Sequence, residues 1–184
     1  MTGSRPRAIR SPSTPTLKDN RDSHVVVFSH HTSTTTNNTR PDPARPGEQR
    51  HTGAEVLSLL SAHANVLAWV NGHVHKNVVT PHHGSGGHSF REISTASHID
   101  FPHLARVIEL ADNKDGTISV FTTLIESAAP HRTDFSDLSQ TGLAALYREL
   151  AHNAPGADTS LGGTAADRNT ELVLKKELKL TQLA

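Results

Sequence analysis

Four histidines stand in two short clusters, His30-His31 and His73-Val74-His75, each following an apolar run. A neutral imidazole nitrogen binds zinc, manganese or iron, and the second ring nitrogen lets a neighbour orient the ring. Two residues apart on extended backbone, His73 and His75 can lean to the same side. His30 can join them if its strand lies beside theirs. Histidines paired in this way are also common as plain polar loop residues, and this chain is rich in them, with 14 among 184 residues. Spacing alone leaves both readings open. Cysteine is absent, so disulfides and thiolate sites are excluded, and a transition-metal site must be built from His, carboxylate or amide oxygen.

The elements that would position these residues can be read from periodicity. Val25-Val26-Val27-Phe28 is a continuous β-branched and aromatic run that suits a strand over His24–Ser29 buried on both faces. Asn65–Asn71 carries Val66, Leu67, Trp69 and Val70 and reads as a second buried strand. Between them the polar, Pro-containing stretch Thr32–His51 is long for a connection. A helix follows it, with Thr52 and Glu55 forming a capping box and Val56, Leu57, Leu59 and Leu60 facing a core. Strands joined by one crossover helix are usually neighbours, which would bring His30 towards His73. Gly72 is expected to ease the backbone where the second strand turns.

Downstream, Asn77–Thr80 and Ser89–Thr95 read as strands flanking a Gly-rich loop, Pro81–Gly87, which leaves His82, His83 and His88 facing solvent. Leu104–Leu110 and Thr117–Ile125 read as a hairpin around Asp115-Gly116. Leu143–Ala151 reads as an amphipathic helix, Ala154–Gly163 as a linker and Ala165–Leu180 as a terminal helix. Met1–Asp22, rich in Pro, Ser and charge without apolar period, is expected to be disordered. Trp69 is expected in the core, and His98 and His103, which flank Asp100, in a loop.

Lys and Arg together number 18, as do Asp and Glu, so the net charge is zero. No basic footprint for nucleic acid or an acidic membrane surface stands out. No run could span a bilayer or form a signal-peptide core, and a cytoplasmic location is the default expectation.

Val25-Val26-Val27-Phe28-Ser29-His30-His31 and Gly72-His73-Val74-His75 resemble the fourth and fifth motifs of the calcineurin-like metallophosphoesterases, in order and with a helix between them. The stretch from His24 to about Asn169 also resembles an actinobacterial group of these enzymes, especially at Phe28–Ser33 and Ile93–Pro102. The resemblance implies an α/β fold, the C-terminal half of a two-sheet sandwich with flanking helices. Residues 1–22 would be the tail, 23–153 the partial metallophosphoesterase domain and 154–184 the linker and C-terminal helix. It further implies divalent metal ions (Mn, Fe or Zn), with His30 and His73 on one ion and His75 on its neighbour. His31 would contact phosphate or orient a ligand, as the catalytic candidate. The implied substrate is a phosphate ester, hydrolysed by a metal-activated water.

The family's Asp-x-His, Gly-Asp-x-x-Asp and Gly-Asn-His-Asp/Glu motifs have no counterpart in this chain. Asp22-Ser23-His24 matches the first in letters but precedes its strand instead of following it. Without a bridging carboxylate, two cations would repel each other uncompensated. The expectation is therefore a phosphoesterase fragment with little activity alone, whose half-sandwich would need a complementing N-terminal polypeptide. A non-catalytic metal-binding or interaction module, half of a split enzyme and a truncated chain are the alternatives.

Overall fold

The computed structural model describes residues 14–177. After a short helix α1 (Thr14–Asp19), strand β1 (Val25–Phe28), helix α2 (Gly53–Ser61) and strand β2 (Val66–Asn71) form a parallel βαβ unit. The start of α2 is fixed as expected. The Thr52 hydroxyl accepts from the Glu55 N–H, and the Glu55 carboxylate accepts from the Thr52 N–H at 2.7 Å. Strands β3 (Val78–His83) and β4 (Ser89–Ser94) pair antiparallel, and β4 lies parallel to β2, giving the mixed sheet β1-β2-β4-β3.

A second, antiparallel sheet is built by β5 (Leu104–Asp112), β6 (Thr117–Glu126) and β7 (Thr170–Lys175) in the order β5-β6-β7. Helix α3 (Gln140–His152) is capped by Ser139. It is held to the loop after β6 by Arg148, whose guanidinium donates to the Ser127 and Ala129 carbonyls. The chain is thus α/β, with two sheets and a few helices.

Two apolar layers hold it together. Leu67, Ala68 and Ile93 from the mixed sheet meet Ile118, Val120 and Leu174 from the second sheet. On the other face, Val66, Trp69 and Phe90 are covered by Leu17 of α1 and Leu60 of α2. A register irregularity where β2 begins lets Val66 face the helices while Leu67 and Ala68 face the second sheet. The mixed sheet is thus packed on one face by the second sheet and on the other by the helices.

Four expectations are corrected. Helix α1 lies inside the segment read as a disordered tail. Leu17 is 2% exposed there, and burying such a side chain is worth about 1.5–3 kcal/mol; residues 1–13 of that tail lie outside the described residues. The terminal helix expected over Ala165–Leu180 is instead a short 3₁₀ turn followed by β7, and 178–180 lie outside the described residues. The reason is a period of two: Leu172 and Leu174 point into the core while Glu171, Val173 and Lys175 point out. Strand β3 runs on through Pro81 to His83, which is tolerated because β3 is an edge strand. Strand β1 is the opposite edge, only half-buried, and its Phe28 is 69% exposed.

The stretch read as a linker is docked. Buried Asn77 donates its N–H to the Leu161 carbonyl, and its side-chain oxygen accepts from the Ala96 N–H and the Arg106 guanidinium. Arg106 in turn donates to the Asp167 carbonyl at 2.7 Å, tying the approach to β7 onto β5. Among the described residues no helix is long and apolar enough to cross a membrane.

Candidate metal centre

Strands β1, β2 and β4 are parallel, so their C-terminal ends share one edge of the sheet, where open α/β sheets place ligands. The ladder runs on past the strands. Ser29 N–H donates to the Val70 carbonyl, Gly72 N–H to that of His30 at 3.0 Å and Thr95 N–H to that of Asn71. Trp69, in the core as expected, donates its indole N–H to the Ser29 hydroxyl, which donates to the His31 carbonyl. These bonds fix the backbone of both histidine clusters relative to each other.

His30 Nε2 and His73 Nδ1 are 3.1 Å apart. Their rings meet edge to face with centroids 5.0 Å apart, and the His31 ring lies 4.1 Å from that of His73. One nitrogen from each of His30, His31 and His73 falls within 4.8 Å of the others. A tetrahedral zinc with bonds of about 2.0–2.1 Å needs ligand nitrogens about 3.3 Å apart, a spacing the His30–His73 pair already has, with His31 within 4.8 Å. The donor chemistry fits as well. His31 Nδ1 is buried with no hydrogen-bond partner. Burial, with the neighbouring His73 and His30, pushes the His31 imidazole below its ordinary pKa and keeps it neutral, the form that binds metal.

The turn that presents His73 is strained. His73 (φ 66°) and His75 (φ 52°) both occupy the left-handed region, which costs a residue with a Cβ about 1–2 kcal/mol. Such strain persists where surrounding structure enforces it, and it clusters at functional sites. Gly72, expected to do this work, has no positive φ, and a Cβ there would meet only ordinary contacts at 3.9 and 4.0 Å. It is the histidines that turn the chain.

His30 and His73 are brought together as the crossover argument anticipates; His75 is not brought with them. Its Nδ1 lies 3.2 Å from Asp100 Oδ2, outside the trio, in a cleft of about 470 Å³ walled by Phe101, Tyr147, Leu150 and Leu161. His31, given a phosphate-contacting or orienting role above, instead sits among the metal-ligand candidates. Its adjacency to His30 was the available signal, but alternation along extended backbone would have sent it to the opposite face. The solvent-facing reading of two other histidines is also corrected. His82 Nε2 lies 2.9 Å from the buried Glu92 carboxylate, and His88 is 5% exposed beside Phe90. His103 lies in its expected loop and stacks on Tyr147.

Three imidazole ligands would leave one coordination position of such an ion open, and an ion so held would lower the pKa of a bound water. Among the described residues the trio includes no carboxylate. Comparison with protein-family models finds no match to the chain, and comparison with curated proteins finds no relative at significant similarity.

Proposed function

We propose that this chain binds one divalent transition-metal ion through His30, His31 and His73, and that it is the histidine-bearing part of a calcineurin-like metallophosphoesterase, nearly inactive by itself. The observation that carries the reading is the convergence of the His30 and His73 nitrogens to 3.1 Å at the C-terminal ends of adjacent parallel strands, on the two motifs that resemble that family. His30 and His73 hold the ion. His31 completes the set in its neutral state, while His75 and Asp100 line the adjoining cleft where an ester's organic group would lie. The ion would polarise phosphate and acidify water, but a second ion would need carboxylates that the trio does not include.

Hydrolysis of p-nitrophenyl phosphate esters with added manganese tests this. The arms are the chain alone, its His73→Ala/His75→Ala variant, and the chain combined with a polypeptide carrying the Asp-x-His and Gly-Asp-x-x-Asp motifs. Turnover only in the combination is expected. Robust turnover by the chain alone, lost in the double variant, would overturn the fragment reading. A non-catalytic metal-binding module is the second reading, favoured by the all-imidazole ligand set, and it predicts metal binding with no turnover in any arm.

A further inference from the structure

Glu92 is a carboxylate on β4 that lies almost wholly inside the protein, at 4% exposure, where an unpaired charge would be strongly disfavoured. It is not unpaired. Its Oε1 accepts from the Ser33 N–H at 2.8 Å and from the Asn71 amide at 2.9 Å. Its Oε2 accepts from the Ser33 hydroxyl at 2.8 Å and lies 2.9 Å from His82 Nε2. Burial alone would raise the Glu92 pKa, but the hydrogen bonds from Ser33, His82 and Asn71 outweigh it and hold the carboxyl below its ordinary value.

The partners are placed in a telling way. Ser33 follows His31 by two residues, and Asn71 precedes His73 by two. One side chain thus grips the segment that leaves the first histidine cluster and the segment that enters the second. The Asn71 side chain is itself held at its other end, its amide oxygen Oδ1 accepting from Ser94 Oγ at 2.6 Å. From this geometry we infer that Glu92 is a positioning residue for the metal centre, setting the separation of His31 from His73 through hydrogen bonds to Ser33 and Asn71. The inference rests on the metal reading above. Glu92 touches neither the trio nor anything bound there, so its effect is on ligand geometry.

Cobalt(II) titration of the whole chain, followed by the visible absorption of a tetrahedral site, tests the role. The unaltered protein is compared with four variants. Glu92→Ala removes all four bonds and should weaken cobalt binding by about tenfold, the low end of the cost of losing a partner bonded directly to a ligand. Glu92→Gln keeps the shape and can keep every bond, its amide donating to the Ser33 hydroxyl and to a His82 tautomer with the free nitrogen inward; its affinity should stay near that of the parent. Ser33→Ala, a milder cut that preserves the buried carboxylate, should weaken binding several-fold. Ile118→Val, in the core between the sheets and away from the site, destabilises the fold without touching the clamp and should leave affinity unchanged.

Parent-like affinity in folded Glu92→Ala, or an equal loss in Ile118→Val, would overturn the inference. If Glu92→Ala does not fold, unchanged affinity in Ser33→Ala overturns it equally. Failure of the unaltered chain to bind cobalt removes the metal centre itself and the positioning role with it, an outcome distinct from normal binding that ignores Glu92.

Discussion

Gly53, the first residue of α2, has no unusual φ, yet it is among the positions least able to accept a side chain. A Cβ there would lie 1.7 Å from the Ser33 carbonyl oxygen and 2.5 Å from its carbon, both backbone atoms. Normal contact requires Ser33 to recede by more than about 1 Å. That movement strains the 2.6 Å bond from the Gly53 N–H to the Thr36 carbonyl and both 2.8 Å bonds from Ser33 to Glu92. Hydrogen bonds to a charged group are worth about 1.5–3 kcal/mol each, and the gain in helix propensity from Gly to Ala offsets at most about 1 kcal/mol. Gly53→Ala should therefore destabilise the protein by about 2–4 kcal/mol. In a domain of this size the melting temperature followed by circular dichroism should fall by roughly 10 °C. Because Ser33 lies two residues from His31, divalent-metal affinity should fall in the same variant. A melting temperature within about 2 °C of the parent, with affinity unchanged, would show that the loop after His31 yields freely and that the close approach fixes nothing.

Three other outcomes follow from the same structure. His75→Gly relieves a left-handed residue outside the trio, so it should leave the melting temperature unchanged or slightly raised, by up to about 1 kcal/mol of stability; a fall of several degrees would mean that the His75–Asp100 pair matters more than the strain. Leu174→Ala, in β7, should cost about 2–5 kcal/mol in urea unfolding, because Leu174 is 2% exposed between the sheets, whereas a loosely docked terminal helix would lose almost nothing. Burial lowers the pKa of His88 against the opposing charge of Glu177, and burial with Lys176 lowers that of His24 against Asp112. Each imidazole then takes up its proton in the unfolded chain before the folded one. The stability they contribute is complete above the ordinary value of 6.5 and is lost as pH falls from there through the folded values, so thermal stability should drop on that limb, and less steeply in His88→Leu.

The βαβ unit was legible because its signals are local and strong: a β-branched run, a Thr52–Glu55 capping box and a second apolar run with Trp69. The hairpin at Asp115-Gly116 was legible for the same reason, since Gly116 takes the positive φ that the turn demands. Helix α1 was hidden because a single buried residue, Leu17, anchors it, and one leucine makes no period. Strand β7 differs from the helix the sequence suggests because Glu171, Lys175 and Lys176 dilute a two-residue alternation into something that resembles a charged helix. At the site, adjacency of β1 and β2 followed from the crossover, so His30 meeting His73 could be anticipated. The direction of His75 depends on left-handed backbone at His73 and His75, and that of His31 on a departure from alternation after β1, neither of which periodicity reveals. Glu92 was out of reach altogether, because its partners Ser33 and Asn71 are 59 and 21 residues away in the chain.

His30, His31 and His73 are proposed to hold one ion between them. X-ray absorption of the zinc- or cobalt-loaded protein, combined with isothermal titration, tests it most directly. The expected result is one ion per chain with three imidazole nitrogens at about 2.0–2.1 Å, and binding lost in His30→Ala and in His73→Ala but retained in His75→Ala. No stoichiometric binding, or tight binding that survives His73→Ala, would contradict it.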